Sequence, residues 1–215
     1  MLIVGAKGFA KEVLEVLHQL NQTDNLVFYD DISNDLPETL FNEFKILTNT
    51  EQVLDYFKNV DNRFTIGIGN PILRKKLSDD FLGLGGVFTS TISPKSSIGS
   101  FGNRLGNGVN MMTGTVITND ITIGDGVIVN LNCTIGHDCE IENFVEISPG
   151  VNISGNCKIG AFSVLGTNVT VLPKITIGKN VIVGAGSVIT KDVPDNCLVV
   201  GIPGKIVKEL SPVSF

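Results

Sequence analysis

The chain is expected to fold as a small α/β domain with a Rossmann-like parallel sheet, followed by a parallel β-helix. An aliphatic side chain stands at every sixth position from Ile117 to Ile189 without a break: Ile117, Ile123, Val129, Ile135, Ile141, Ile147, Ile153, Ile159, Leu165, Val171, Ile177, Val183 and Ile189. Four residues after each comes a second small or apolar one, among them Ile121, Cys133, Cys139, Cys157, Ser163, Val181 and Ser187. Residues 1–88 lack this period and alternate short apolar runs with amphipathic ones. A helix would repeat its apolar stripe at 3.6 residues and an ordinary strand at two, so a six-residue period marks a stacked repeat.

In chain order, the apolar run 2–4 predicts a strand, followed by Gly5-Ala6-Lys7-Gly8-Phe9-Ala10 and a helix carrying Val13, Leu14, Val16, Leu17 and Leu20. A second strand over 26–29 ends in Asp30-Asp31. Val53, Leu54 and Phe57 suggest another helix, residues 64–68 a strand ending at Gly69-Asn70, and residues 71–82 a further helix. Strands alternating with helices imply a small parallel sheet. Ligands of such sheets lie beyond the carboxyl ends of the strands, near helix N-termini. Gly5 and Gly8 would let backbone amides approach a phosphate, and Asp30-Asp31 would accept hydrogen bonds from a ribose or base. The Gly5-x-x-Gly8 spacing is not the dinucleotide fingerprint, and an ordinary tight turn with a solvated acidic pair fits it as well.

From residue 89 to 215 the six-residue unit lays down one short strand and one corner, so three units make a triangular coil of roughly 18 residues. The aliphatic points into the prism and the smaller residue packs beside it. The glycines that follow the aliphatic (Gly124, Gly136, Gly160, Gly166, Gly178, Gly184), with Asn130 and Asn168 nearby, are expected to supply corners of positive φ. Met111 and Leu105 extend the register backwards, and Ile98 and Ile92 continue it after a one-residue slip, so the column begins near Thr89.

The formal charge of −6, from 16 basic against 22 acidic residues, argues against a nucleic-acid partner. No basic leader precedes an apolar core and no apolar run reaches 18 residues, so a cytoplasmic protein without membrane insertion is expected. Cys133, Cys139 and Cys157 occupy the small inward slot, where free cysteine behaves as a buried hydrophobe; Cys197 lies outside the repeat. No spacing supports a metal site.

Of the two histidines, His18 falls on the polar side of the first helix. His137 stands two residues after inward Ile135, at a corner, pointing outward with Asp138 beside it. An imidazole there suits proton transfer near neutral pH, although an exposed corner residue is the simpler account. One coil further on is Gly155, whose backbone N–H would lie above His137 and stabilise an oxyanion.

The chain resembles the bacterial family of sialic-acid O-acetyltransferases and nucleotide-amino-sugar N-acetyltransferases, which are hexapeptide-repeat acyltransferases. The resemblance rests on Val4-Gly5-Ala6-Lys7-Gly8-Phe9-Ala10-Lys11-Glu12, Tyr29-Asp30-Asp31, Ile68-Gly69-Asn70 with Leu73-Arg74-Lys75-Lys76, the stretch Asn132 to Cys139, and the closing Val200-Gly201-Ile202-Pro203-Gly204-Lys205. It implies a left-handed helix, against the usual right-handed rule for parallel crossovers. It implies His137 as general base with its basicity raised by Asp138, and Lys7, Gly8, Phe9, Asp30, Asp31 and Gly69 as contacts of a nucleotide sugar. Acetyl-CoA would lie between subunits of a homotrimer, near Glu146, Gly155, Thr167 and Ala185, with Lys205 free to bind its phosphates or merely to cap the column. The expected function is direct acetyl transfer to a sugar or nucleotide-linked amino sugar in surface-polysaccharide synthesis. In the family, histidines often stand where this chain has Phe9 and Glu146. An acyl-carrier-protein donor, a serine-type acceptor and a non-enzymatic scaffold remain as alternatives. A zinc-dependent hydratase on the same repeat is excluded, because the repeat carries only one histidine.

Overall fold

A computed structural model describes residues 1–33 and 35–214. The chain begins with β1 (Leu2–Val4), α1 (Gly8–Gln19), β2 (Val27–Tyr29), β3 (Thr39–Leu40), β4 (Phe44–Leu47), α2 (Thr50–Asn59), β5 (Arg63–Ile66), α3 (Pro71–Gly83) and β6 (Val87–Phe88). The sheet order is β3-β4-β2-β1-β5-β6, parallel except for the β3-β4 hairpin. Its three-residue central strands are buried throughout, as parallel strands covered on both faces must be. One layer is closed by α1 through Ala10, Val13, Val16 and Leu17, the other by Val53, Tyr56 and Phe81 from α2 and α3. The sequence does not anticipate the β3-β4 hairpin or the edge strand β6.

From Thr91 the chain winds through two-residue strands that form three parallel sheets, the faces of a left-handed prism. The first face contains Asn110–Met111, Ile128–Val129, Glu146–Ile147, Val164–Leu165 and Ile182–Val183. The second contains Val116–Ile117, Thr134–Ile135, Asn152–Ile153, Thr170–Val171 and Val188–Ile189. The third contains Thr122–Ile123, Glu140–Ile141, Lys158–Ile159 and Thr176–Ile177. All the aliphatics of the six-residue series are buried in one column. The second inward slot is buried with them, and where it is polar the hydroxyl is satisfied by backbone: Ser163 Oγ donates to the Gly178 carbonyl at 2.8 Å and accepts from the Val181 N–H at 2.9 Å. Ile92 and Ile98 pair with Met111 and Ile117, which places the slip where the spacing puts it; Ile98, in the first strand of its face, is exposed.

The corners correct the sequence reading. From Leu105 to Val183, positive φ falls three residues after each inward aliphatic: Gly108, Gly114, Asp120, Gly126, Asn132, Asp138, Phe144, Gly150, Asn156, Phe162, Asn168, Lys174, Asn180 and Gly186 lie between 53° and 78°. The glycines that directly follow the aliphatic, and Asn130, are not in that region. Their reason is space. A Cβ on Gly136 would stand 2.6 Å from the Gly155 nitrogen, and one on Gly160 would stand 2.4 Å from the Gly178 carbonyl carbon, so the next coil excludes a side chain.

The α/β domain docks on the first face and its two flanking corners. Met112 enters the cluster under α1, and Phe144 enters the cluster under α3. Asn110, 1% exposed, accepts from the Thr65 and Thr91 hydroxyls and donates to the Ile66 carbonyl at 2.9 Å. Among the described residues no helix is long and apolar enough to cross a membrane.

Candidate active site

Two separate arrangements carry chemistry. The first is a cavity of about 350 Å³ at the carboxyl ends of β1, β2 and β5. Gly5 turns the chain out of β1 at φ +100°, and a Cβ on Gly67 would stand 2.5 Å from the Cα of Ala10, so these glycines let α1 start close against the strand ends. No side chain caps α1, and its first residues, Gly8 and Phe9, line the cavity at the positive end of the helix dipole. Lys7, Gly8, Phe9, Asp30, Asp31 and Gly69, all expected as substrate contacts, line this one cavity. Tyr29, Ser33, Gly67, Leu73 and Leu77 join them without having been foreseen. A glycine between Ile66 and Ile68 at a strand end was the available signal for Gly67.

The acidic pair divides its labour. Asp30 turns back into its own loop, accepting from the Ser33 N–H at 2.9 Å and the Ser33 hydroxyl at 3.1 Å. Asp31 is exposed, and burial together with this carboxylate pushes the Tyr29 phenol up to about 12. Lys7 is held by Asp35 at 3.0 Å on the surface.

The second arrangement is the corner between the second and third faces. His137 projects outward, and its Nδ1 lies 2.6 Å from Asp138 Oδ2. The left-handed φ of 58° at Asp138 turns that carboxylate beside the ring. A proton on Nδ1 shared with Asp138 leaves Nε2 with its lone pair towards solvent. Gly155 does lie across one coil: a Cβ built on it would stand 2.7 Å from His137 Nε2. The Gly155 N–H donates to no acceptor among the described residues, and the Asn156 N–H fixes the coil by donating to the His137 carbonyl at 2.8 Å.

The remaining candidates do not gather at one place. Thr167 and Ala185 stack on the corner between the first and second faces, so the second face separates them from Gly155. Lys205 is exposed on the strand Lys205–Glu209, which pairs antiparallel with Cys197–Val200 beyond the last coil. Glu146 stands apart, on the first face against Gly69 and 4.0 Å from the Arg74 guanidinium. Arg74, to which the sequence assigns no role of its own, is 1% exposed; its nitrogens donate to the carbonyls of Gly126 at 3.0 Å, Phe144 at 2.8 Å, Val145 at 3.1 Å and Gly69. Burial pushes the Arg74 guanidinium down to about 10, with Glu146 opposing, so it is still a cation at neutral pH.

All four cysteines are free and buried, and burial pushes the Cys133 thiol up to about 11. The Cys139 hydrogen bond draws the Cys157 thiol down, but Cys133, Cys139 and Cys157 all lie in the buried apolar column, inside the prism from the outward His137. His18 is exposed on α1, as its helical position implies. Among the described residues no three His, Cys, Asp or Glu side chains cluster to hold a metal.

Residues 1–81 match the family model of the PglD N-terminal domain, and residues 156–191 match that of the bacterial transferase hexapeptide, six repeats. The acetyltransferase domain of PglB from Neisseria gonorrhoeae, solved with acetyl coenzyme A, is 32% identical over 96% of this chain and 98% of that one, with a TM-score of 0.87. WeeI from Acinetobacter baumannii is 30% identical over 96% and 98%, also at 0.87. A histidine-to-asparagine mutant of perosamine N-acetyltransferase from Caulobacter crescentus, in complex with CoA and GDP-perosamine, is 29% identical over 97% and 96%, at 0.89. No curated protein matches the chain.

Proposed function

The chain belongs to the hexapeptide-repeat family of sialic-acid O-acetyltransferases and nucleotide-amino-sugar N-acetyltransferases, and from that premise we propose that it acetylates the amine of a nucleotide-linked amino sugar. It is an acyltransferase. Acetyl-CoA is the donor in this reading, and the product serves surface-glycan synthesis. The observation that carries the proposal is the stack of His137, Asp138 and Gly155 on one corner of the prism, together with a separate nucleotide-sized cavity at the strand ends.

The step is direct transfer. The acceptor amine, in its free-base form, attacks the thioester carbonyl while His137 Nε2 takes its proton, with Asp138 steadying the imidazolium. The Gly155 N–H supports the developing oxyanion. As the tetrahedral species collapses, the C–N bond remains, the C–S bond breaks, and the proton passes from His137 to the departing CoA sulfur. Gly155, Thr167, Ala185 and Lys205 hold the donor along the second face. Lys7, Gly8, Phe9, Asp30, Asp31 and Gly69 hold the nucleotide sugar.

One chain does not complete this site. The cavity belongs to the domain docked on the first face, whereas His137 stands on the corner that does not flank that face. The corner of a second copy must therefore meet the cavity, which is the reason to expect a homotrimer.

Thiol release from acetyl-CoA, followed against a panel of amino and hydroxy nucleotide sugars with free sialic acid included, tests the reading. Turnover is expected with an amino sugar and is expected to fall about 10²–10⁴-fold in His137→Ala, with the melting temperature unchanged. Turnover confined to hydroxyl acceptors would make the enzyme an O-acetyltransferase and account for Phe9. Undiminished transfer in His137→Ala would remove the base.

A further inference from the structure

Glu146 is a half-buried carboxylate that the transfer step does not use. It lies on the first face in the column Asn110, Ile128, Glu146, Val164, Ile182. Asn110 and Ile128 below it are each 1% exposed under the docked domain, while Ile182 above it is 40% exposed. Glu146 therefore sits at the rim where that cover ends. Its oxygens stand 3.3 and 3.4 Å from where a Gly69 Cβ would be, so the carboxylate lies directly against a residue that lines the acceptor cavity.

Among the described residues no N–H or O–H donates a hydrogen bond to this carboxylate. The nearest cation, Arg74, is 4.0 Å away and spends its donors on backbone carbonyls. Leaving a half-buried carboxylate without donors is costly, and burial accordingly raises the Glu146 pKa while Arg74 opposes the rise. What such a group lacks is a hydrogen-bond donor, best of all one carrying positive charge. The acceptor of the proposed reaction brings such a group, since an aliphatic amine is an ammonium in water near neutral pH.

We propose that Glu146, braced by Arg74, binds the amino group of the acceptor sugar at the Gly69 rim of the cavity, and so selects amino over hydroxy sugars. This rests on the N-acetyl-transfer reading. The carboxylate concentrates the ammonium form in the site. The ammonium releases one proton to solvent, and His137 of the partner subunit takes the second during attack. Glu146 thereby acts on the acceptor side of the reaction, away from the acetyl-CoA contacts expected for it from the family resemblance.

The test is steady-state kinetics of wild type and Glu146→Gln with a nucleotide-linked amino sugar, with the corresponding hydroxy nucleotide sugar as competitive inhibitor. Glu146→Gln is expected to raise the acceptor KM about tenfold or more, the loss of one charge-assisted hydrogen bond. The acetyl-CoA KM and the inhibition constant of the hydroxy analogue are expected to stay unchanged, which also shows that the variant is folded. An unchanged acceptor KM, or a rise in the acetyl-CoA KM in its place, overturns the proposal for Glu146 and leaves N-acetyl transfer standing. Wild-type silence with every amino sugar brings down both.

Discussion

At the scale of single residues, the site depends on a glycine for what it leaves empty. The ring of His137 occupies the space where a Gly155 side chain would be. Gly155 has no left-handed φ to lose, so an alanine there strains no backbone; it meets the imidazole instead. The ring must swing, parting Nδ1 from Asp138 or turning Nε2 away from where the proposed acceptor amine would lie. Gly155→Ala is expected to cut kcat about a hundredfold, the scale of an ångström-sized misplacement, with melting unchanged. Kinetics beside a thermal melt decide it; full activity would mean that the ring is free to move without consequence. This juxtaposition was legible in the sequence by counting one coil of 18 residues from His137. The contact of Glu146 with Gly69 was not, because no repeat relates residue 146 to a loop of the other domain.

At the scale of elements, the apolar column was legible because burial acts on the same position in every unit. The corners were misread because two different demands both select glycine. Directly after the aliphatic, the next coil forbids a side chain; three residues after it, the backbone is left-handed. The second demand is met by residues as unsuited as Phe144, Phe162 and Lys174. Left-handed backbone costs an ordinary L-residue roughly 1–2 kcal/mol, and asparagine bears it more easily. Lys174→Asn is therefore expected to stabilise the protein by several tenths to about 1 kcal/mol, and Asn156→Ala to destabilise it by about 1 kcal/mol. Urea titration of both variants checks the signs; a destabilising Lys174→Asn would show that the lysine contributes more through its surroundings than its backbone costs. The β3-β4 hairpin escaped for the same reason, since its turn places Phe41 at φ 55°, where no turn preference would put a phenylalanine.

At the scale of the whole molecule, the question is what makes a sheet domain and a prism act as one body. The answer centres on Arg74, whose sequence setting, Leu73-Arg74-Lys75-Lys76, looks like a solvated basic run. Its partners Phe144 and Val145 are 70 and 71 residues away, beyond any periodicity. One guanidinium ties the cavity loop at Gly69 to carbonyls of two successive coils, beside the buried amide of Asn110, which ties the same loop's strand to a third. Arg74→Met keeps the volume but strands those carbonyls and leaves Glu146 without its cation. Removing one partner of a buried charged network costs about 3–5 kcal/mol. Because the prism column does not include α3, that loss should fall on the docked domain. Calorimetry of Arg74→Met is expected to resolve a low-temperature transition of the α/β domain ahead of a prism transition close to the wild-type one, with acceptor KM raised. Adding Glu146→Gln should return part of the loss, since the double variant no longer buries an unpaired carboxylate. A single transition shifted as a whole would instead mean that the two parts are coupled chiefly through the apolar contacts of Met112 and Phe144, with Arg74 a passenger.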